Sequence, residues 1–276
     1  MCARFVSLWV LAWLLSGCAS WLPQAQVKQS GSVVDYLYGN KATQIAMQPE
    51  ITTLQLPVRV GVAFVPSSSW AQNGITEADR VRLLDRVKTA FSGRDDIAAV
   101  EVIPSSYLTV HGGFTNLEQA ARMFNVDVVA LLSYDQVQFN DSNALSMLYW
   151  TIVGAYFIHG DQYDIRTMLE ATVFDVRSRK LLFRAPGVSN VKGSAALASF
   201  SEKSRAARQQ GYDQALETLI PNLQKELDAF RERIKTKTQQ GVQVQYREGY
   251  RGGGDIGWLG GLVLLGVVLI SRRRTA

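Results

Sequence analysis

The sequence is poor in the residues that build metal centres and disulfide frameworks. Its 276 residues include two cysteines and two histidines. These are too few for a zinc ribbon, an iron–sulfur cluster or a disulfide-stapled scaffold. Hydrophobic residues make up 47% of the chain and charged residues 19%, which excludes wholesale disorder. We therefore expect a protein with a sizeable core and no metal chemistry.

Catalytic motifs are also missing from the sequence. We find no Gly-x-Ser-x-Gly elbow, since the nearest string, residues 187–191, fails at its last position. There is no dinucleotide loop, Walker motif or metal-ligand spacing. The string His111-Gly112-Gly113 resembles an esterase oxyanion loop, but without a nucleophile elbow a turn is favoured. A hydrolase that uses His111 with an unidentified nucleophile is the alternative hypothesis.

The N-terminal apolar run is too short to cross a bilayer. Arg4 precedes residues 5–15, and these eleven residues suit the hydrophobic region of a secretory signal peptide. Small residues and a cysteine follow the run, in the order of a bacterial lipobox. The four residues that carry this resemblance are Leu15, Ser16, Gly17 and Cys18.

The lipobox resemblance implies a set of covalent modifications. In lipoproteins the cysteine, here Cys18, receives a diacylglyceryl group, signal peptidase II cuts before it, and the new amino group is acylated. Cys2 would leave with the signal peptide, and two or three acyl chains on Cys18 would form a stable anchor. Ala19 stands where lipoproteins of the inner membrane usually have Asp, which favours the outer membrane. The alternative is an ordinary signal peptide cut near Ala19-Ser20.

The C-terminal end has glycines, a short apolar segment and a basic cluster. Residues 256–270 would span only about 22 Å as a helix, against a bilayer core of about 30 Å. The positive-inside rule keeps the arginines cytoplasmic. The glycines before the segment are Gly252, Gly253 and Gly254, followed by Asp255; the predicted transmembrane helix contains Ile256, Gly257, Trp258, Gly260, Gly261, Gly266 and Ile270; the basic residues are Arg272, Arg273 and Arg274.

This tail resembles the GlyGly-CTERM sorting signal, which rhombosortase, a rhomboid-type protease, processes. Together with the lipobox, it is similar to the ends of the rhombotarget lipoprotein family. The resemblance implies cleavage in the region 252–255, although Asp255 stands where the usual signal has Ser. A plain tail anchor and a helix-dimer motif at Gly257-x-x-x-Gly261 are the alternatives.

The body between these signals predicts one compact α/β domain. We expect a signal peptide at 1–17, a tether at 18–57, the domain at 58–238, a linker at 239–251 and the sorting signal at 252–276. The predicted domain is a mixed β-sheet with two short helices and one long C-terminal helix.

Local patterns place the elements of this domain. Valine-rich residues 59–66 and 126–139 predict strands, and residues 163–176 and 181–188 predict a hairpin. Capping patterns at Thr76, Thr115 and Ser199 predict three helix starts. The third helix carries an apolar face that could cover the sheet or meet a partner helix. Residues 144–159 are nearly all apolar and predict either core or an exposed platform.

The basic composition belongs mainly to the two ends. The net charge of +5 falls to +2 once residues 1–17 and 252–276 are removed. The body has no basic run beyond residues 177–180, so nucleic-acid binding is not expected. The favoured hypothesis is a non-enzymatic lipoprotein of the bacterial envelope that uses no cofactor beyond the covalent lipid. Its expected partners are the membrane, rhombosortase, the lipoprotein-processing enzymes and an envelope protein.

Overall fold

The computed structural model describes six stretches of the chain: residues 26–39, 52–66, 75–142, 161–195, 197–236 and 242–247. The predicted lipobox, the sorting signal with its transmembrane helix, and the apolar segment 144–159 lie outside these residues. Within the described stretches, no helix is both long enough and apolar enough to span a membrane.

A six-stranded sheet forms the centre of the fold. Its path runs β4-β3-β5-β6-β7, and β1 pairs with β5. β3 is parallel to both β4 and β5. β6 and β7 are joined by five residues, too few for a parallel crossover, so the sheet is mixed. The strands are β1 (Gln26–Gly31), β2 (Thr52–Leu56), β3 (Val58–Phe64), β4 (Ile97–Val102), β5 (Val128–Ser142), β6 (Asp161–Asp175), β7 (Leu181–Ala195) and β8 (Val242–Tyr246).

Four α-helices are present in the described stretches, and one of them is long. Helix α4 runs for 40 residues and continues through Pro221. A mixed α/β fold with a mixed sheet and a long C-terminal helix is thus confirmed, and the short α1 is an addition. The helices are α1 (Val33–Tyr38), α2 (Glu77–Phe91), α3 (Gly113–Met123) and α4 (Leu197–Thr236).

One of the three predicted helix caps is confirmed. The side chain of Thr76 accepts a hydrogen bond from the backbone N–H of Asp79 at 3.1 Å, so α2 begins as expected. The other two predictions are wrong. Thr115 lies inside α3, whose N-cap is Gly112. Ser199 lies inside α4, which begins at Leu197.

Within the predicted tether and linker, the structure describes regular elements. Residues 26–39 and 52–56 form β1, α1 and β2, and the side chains of Tyr36 and Leu37 are fully buried. Residues 242–246 form β8, which pairs in parallel with β2 in a separate two-stranded sheet. The folded part therefore extends beyond the predicted limits at both ends.

By their internal contacts the residues group into two compact units, a division that the sequence analysis did not anticipate. Of the described residues, the first unit comprises 26–29, 135–142, 161–168, 188–195 and 197–215. The second comprises 30–39, 52–66, 75–134, 169–187, 216–236 and 242–247. In the first unit a small apolar cluster of Ile165, Val191 and Ala207 packs beside Tyr163. The Tyr163 ring meets the Phe200 ring edge-on at 6.0 Å.

In the second unit, one face of the sheet is closely packed. Ala63, Val129 and Leu131 belong to a core cluster that also contains residues of α1 and α3. Gly61 lies on the same face, where an added Cβ would come within 2.8 Å of the Ile103 side chain. This face therefore leaves no room for a larger side chain at position 61.

Candidate ligand-binding cavity

The opposite face of the second unit's sheet opens onto a cavity of about 980 Å³. Its sheet wall consists of valines that recur at every second position of β3, namely Val58, Val60 and Val62. Val60 lies between Val100 of β4 and Val128 of β5 in the strand register. The same alternation that packs Gly61 and Ala63 on one side therefore presents a continuous aliphatic surface on the other.

The helical wall is formed mainly by the second half of α4. Leu223, Leu227, Phe230 and Ile234 follow one another at spacings of four, three and four residues, and all four line the cavity. The Phe230 ring lies 5.3 Å from the ring of Phe183. The second half of the apolar face of α4 therefore faces the cavity within its own unit.

The two-stranded sheet supplies the third wall, which we call the β2–β8 wall. Leu54 and Leu56 of β2 and Val242 and Val244 of β8 line the cavity. In the parallel register Leu54 stands beside Val244. The alternation of Val242 and Val244 with glutamines is a signal for this wall that the sequence analysis missed.

One end of the β2–β8 wall is held by an ion-pair cluster. Arg247 follows β8, and its guanidinium lies 2.7 Å from the Asp127 carboxylate. Asp127 also accepts hydrogen bonds from the backbone N–H and the guanidinium of Arg59 at 3.2–3.3 Å. Burial acts to raise the pKa of Asp127. The hydrogen bonds from Arg59 and the charges of Arg59 and Arg247 outweigh it and hold the pKa below an aspartate's ordinary value.

The other end of the wall is held by hydroxyl groups. Thr52 is fully buried, and its Oγ1 lies 2.8 Å from the Oγ of Ser178 in the β6–β7 turn. Ser178 in turn donates to the Asp175 carboxylate from its backbone N–H at 2.8 Å and from its hydroxyl at 2.6 Å. With both ends fixed, the cavity is formed before any ligand arrives.

Charged groups of the lining are confined to one region, the rim. Asp96 is the most buried of them, and it pairs with Arg94 at 3.2 Å and with Arg231 at 3.7 Å. The Lys235 ammonium lies 2.9 Å from the carboxylate of Glu232, which stands three residues earlier on α4. The β2–β8 wall also carries the polar lining residues Gln243, Gln245 and Tyr246. The aliphatic side chains of the lining offer no reacting group. The arrangement therefore suits binding of an apolar group.

His111, the predicted catalytic candidate, lies elsewhere in the second unit. Its Nδ1 is 3.5 Å from the Asp35 carboxylate and 3.2 Å from the Asp35 carbonyl oxygen. His111 and Gly113 both have positive φ, 57° and 66°, so the string forms the turn that the sequence predicted. Among the described residues no hydroxyl or thiol side chain hydrogen-bonds to His111. The described residues also contain no group of three or more potential metal ligands.

The first unit holds a buried polar network that sequence reasoning missed. Gln136 donates from Nε2 to the Thr167 hydroxyl at 2.8 Å and to the Arg208 carbonyl at 3.0 Å. Arg208 donates to the Gln138 side-chain oxygen at 2.7 Å. Burial, together with the nearby Arg205, lowers the pKa of Arg208. Gln136 and Gln138 lie in the alternating half of β5, yet they are only 1% and 2% exposed.

Comparisons with known proteins give likeness of shape only. No family model and no curated protein matches the chain. Among solved structures, a neuraminyllactose-binding hemagglutinin homolog from Helicobacter pylori aligns at 8% identity and a TM-score of 0.40, covering 70% of this chain and 97% of that one. A PelC dodecamer from Paraburkholderia phytofirmans aligns at 10% identity and a TM-score of 0.25, covering 72% and 96%. The hypothetical protein CT253 of Chlamydia trachomatis aligns at 12% identity and a TM-score of 0.24, covering 65% and 96%.

Proposed function

We propose that this chain is a lipoprotein of the bacterial envelope that acts as a non-enzymatic binding or accessory module. The observation that carries the binding role is the apolar cavity of the second unit, whose walls offer contact area but no reacting group. A partly open cavity of this volume falls within the range of small-molecule sites. Accessory binding is the role that fits such a site.

The proposed anchor is a lipid on Cys18. The order Leu15-Ser16-Gly17-Cys18 after an eleven-residue apolar run supports it. Each buried methylene of an acyl chain contributes about 0.8 kcal/mol, so two or three chains hold a protein stably at a membrane. Ala19 supports placement in the outer membrane rather than the inner one.

The proposed C-terminal step is removal of the tail within 252–255 by a rhomboid-type protease. Residues 256–270 are too short for a comfortable span. Their four glycines weaken helix formation by about 1 kcal/mol each relative to alanine. A short, weak helix unwinds readily, and an intramembrane protease must unwind its substrate before cleavage.

Intact-mass measurement of the protein isolated from envelopes tests both processing steps together. We expect a chain that begins at a lipidated Cys18 and ends within 252–255. Cys18→Ala should abolish the lipid mass and the N-terminal cut, whereas the matched control Cys2→Ala should change neither. A protein that retains residues 256–276 in cells with the protease would contradict the C-terminal proposal. A Cys18→Ala protein that has lost both residues 1–17 and its tail, and is still membrane-bound, would contradict the proposed anchor.

A further inference from the structure

We propose that the cavity of the second unit binds the hydrocarbon chain of a fatty-acyl lipid, an inference that rests on the proposed binding role. The volume of about 980 Å³ lies at the upper end of the range for small-molecule sites. The cavity is partly open to solvent, and water against its aliphatic walls finds few hydrogen-bond partners. An apolar occupant would replace that water.

The chemistry of the lining selects the class of occupant. Aliphatic and phenylalanine side chains make up most of the lining, so a ligand atom inside the cavity meets mainly carbon. A peptide would bring backbone N–H and C=O groups, and each group left unpaired there would cost a large part of its hydration free energy. A hydrocarbon chain brings none of these groups. The lining therefore favours an acyl chain over a peptide segment.

The shape of the cavity agrees with an extended chain. Its helical wall runs from Leu223 to Ile234 on α4, a rise of roughly 16 Å at 1.5 Å per residue. Its sheet wall runs from Val58 to Val62 on β3, roughly 13 Å at 3.3 Å per residue. Two long walls of similar length suit an elongated ligand.

The rim supplies a place for the polar end of such a lipid. Arg231 and Lys235 lie at the lining's charged end and are 43% and 63% exposed. Their partners, Asp96 and Glu232, already balance part of their charge. A headgroup at this position would stay in water, so no charge needs to be buried when the chain enters.

Photolabelling of the full-length protein in isolated envelopes tests this inference. The probe is palmitic acid that carries a diazirine in its chain, added to the membranes after synthesis so that it cannot enter the Cys18 lipid. We expect label on peptides of β3 and the second half of α4. Val60→Trp, which fills the cavity, should lower this labelling about tenfold. Val188→Trp adds the same ring at a position 60% exposed and outside the lining, and should leave labelling unchanged.

Competition by unlabelled fatty acids adds a measurement on the unmodified protein. Each methylene removed from the competitor should weaken the competitor's affinity about fourfold, as long as that methylene contacts the lining. This factor corresponds to about 0.8 kcal/mol. A second arm uses a phospholipid with the same diazirine chain in vesicles. Stronger labelling by the phospholipid identifies the bound acyl group as part of a membrane lipid. Stronger labelling by the free acid identifies it as a free fatty acid. Either result supports an acyl occupant.

Three outcomes would overturn the inference. They are label confined to residues 256–270, equal labelling of Val60→Trp and the unmodified protein, and competition that is independent of chain length. Labelling that appears only after residues 256–276 have been removed would support the acyl site in the processed chain and show that the tail blocks it beforehand. The mass of Cys18 in the same sample separates the two proposals. Cavity labelling without lipid on Cys18 contradicts only the anchor, and a lipidated Cys18 without cavity labelling contradicts only the acyl site.

Discussion

A pair of alanines on neighbouring strands offers a direct test of the cavity. Ala63 of β3 and Ala130 of β5 are both almost fully buried, at 0% and 3% exposure. Their side chains lie on opposite faces of the sheet. Ala63 belongs to the packed core cluster, whereas Ala130 lines the cavity. The same substitution to leucine should therefore have opposite effects at the two positions.

The magnitudes follow from packing. Leucine adds three carbons to alanine. Because Ala130 is itself only 3% exposed, these carbons gain free energy only where they reach past the covered methyl group into the cavity, and burying them there is worth up to about 2 kcal/mol. Loss of side-chain entropy removes about 0.5–1 kcal/mol of that gain. Ala130→Leu should thus raise the free energy of unfolding by about 1 kcal/mol. Ala63→Leu has no such space and should lower it by about 1–3 kcal/mol.

Pulse proteolysis in a urea series measures both variants without a fluorophore. The two proteins should differ by about 3 kcal/mol, or by roughly 6–12 °C in melting temperature for a chain of this size. Ala63→Val provides a control of intermediate volume and should fall between Ala63→Leu and the unmodified protein. If Ala130→Leu lowered stability as much as Ala63→Leu, both faces of the sheet would be packed. The cavity, and with it the acyl-chain inference, would then be refuted.

Three further predictions concern polar groups, each read from urea denaturation. Asp127→Asn should cost about 1 kcal/mol at neutral pH, because the carboxylate is one-third exposed and solvent screens it. The pKa of Asp127 is lowered in the folded protein, so the full loss of stability should be seen above about pH 4. This loss should vanish as the pH falls through the folded-state pKa. A loss that does not change with pH would contradict the role of the Asp127 charge. Gln138→Leu should lower stability by about 2 kcal/mol by leaving the buried Arg208 charge without its acceptor, whereas Arg208→Met should cost less; the reverse order would contradict the network. Thr76→Ala should cost about 1 kcal/mol at the N-cap of α2 and Thr115→Ala clearly less, since only Thr76 caps a helix; equal costs would contradict this.

The parts of the fold that could be predicted are those fixed by local periodicity. The apolar face of α4 recurs every three or four residues, and Tyr212, Leu216, Leu219 and Leu223 are all nearly fully buried as that pattern requires. The strand core of β5 and the β6–β7 hairpin follow from apolar runs and a short connection. Each of these signals lies within one stretch of sequence, so no distant partner is needed to interpret it.

The errors arose where a local pattern has more than one solution. Thr76 and Thr115 are both followed by an acidic residue three positions later, yet only Thr76 caps a helix. At Thr115 the preceding Gly113 adopts a positive φ and begins the helix two residues earlier. The capping motif is equally compatible with an interior turn of a helix, so it does not by itself fix where the helix begins.

The cavity could not be predicted because its third wall depends on pairing between two strands that lie far apart in the sequence. β2 and β8 are five residues each, and both lie in polar surroundings that resemble a linker. Their apolar residues become a wall only when Thr52 pairs with Val242 across nearly the whole body of the chain. Closing so long a loop costs entropy, and the packing of the sheet and of α4 offsets that cost. A local sequence pattern does not reveal such a long-range pairing.

The position of β8 also constrains the proposed processing. Arg247 lies beyond the last residue of β8 and ties that strand to Asp127. The predicted cleavage region begins at Gly252, five residues further on. A cut within 252–255 would leave β8 and its ion pair in the mature protein, whereas a cut before Val242 would remove a wall of the cavity. The proposed cleavage and the proposed binding site are therefore compatible, because the processed chain retains every residue that lines the cavity.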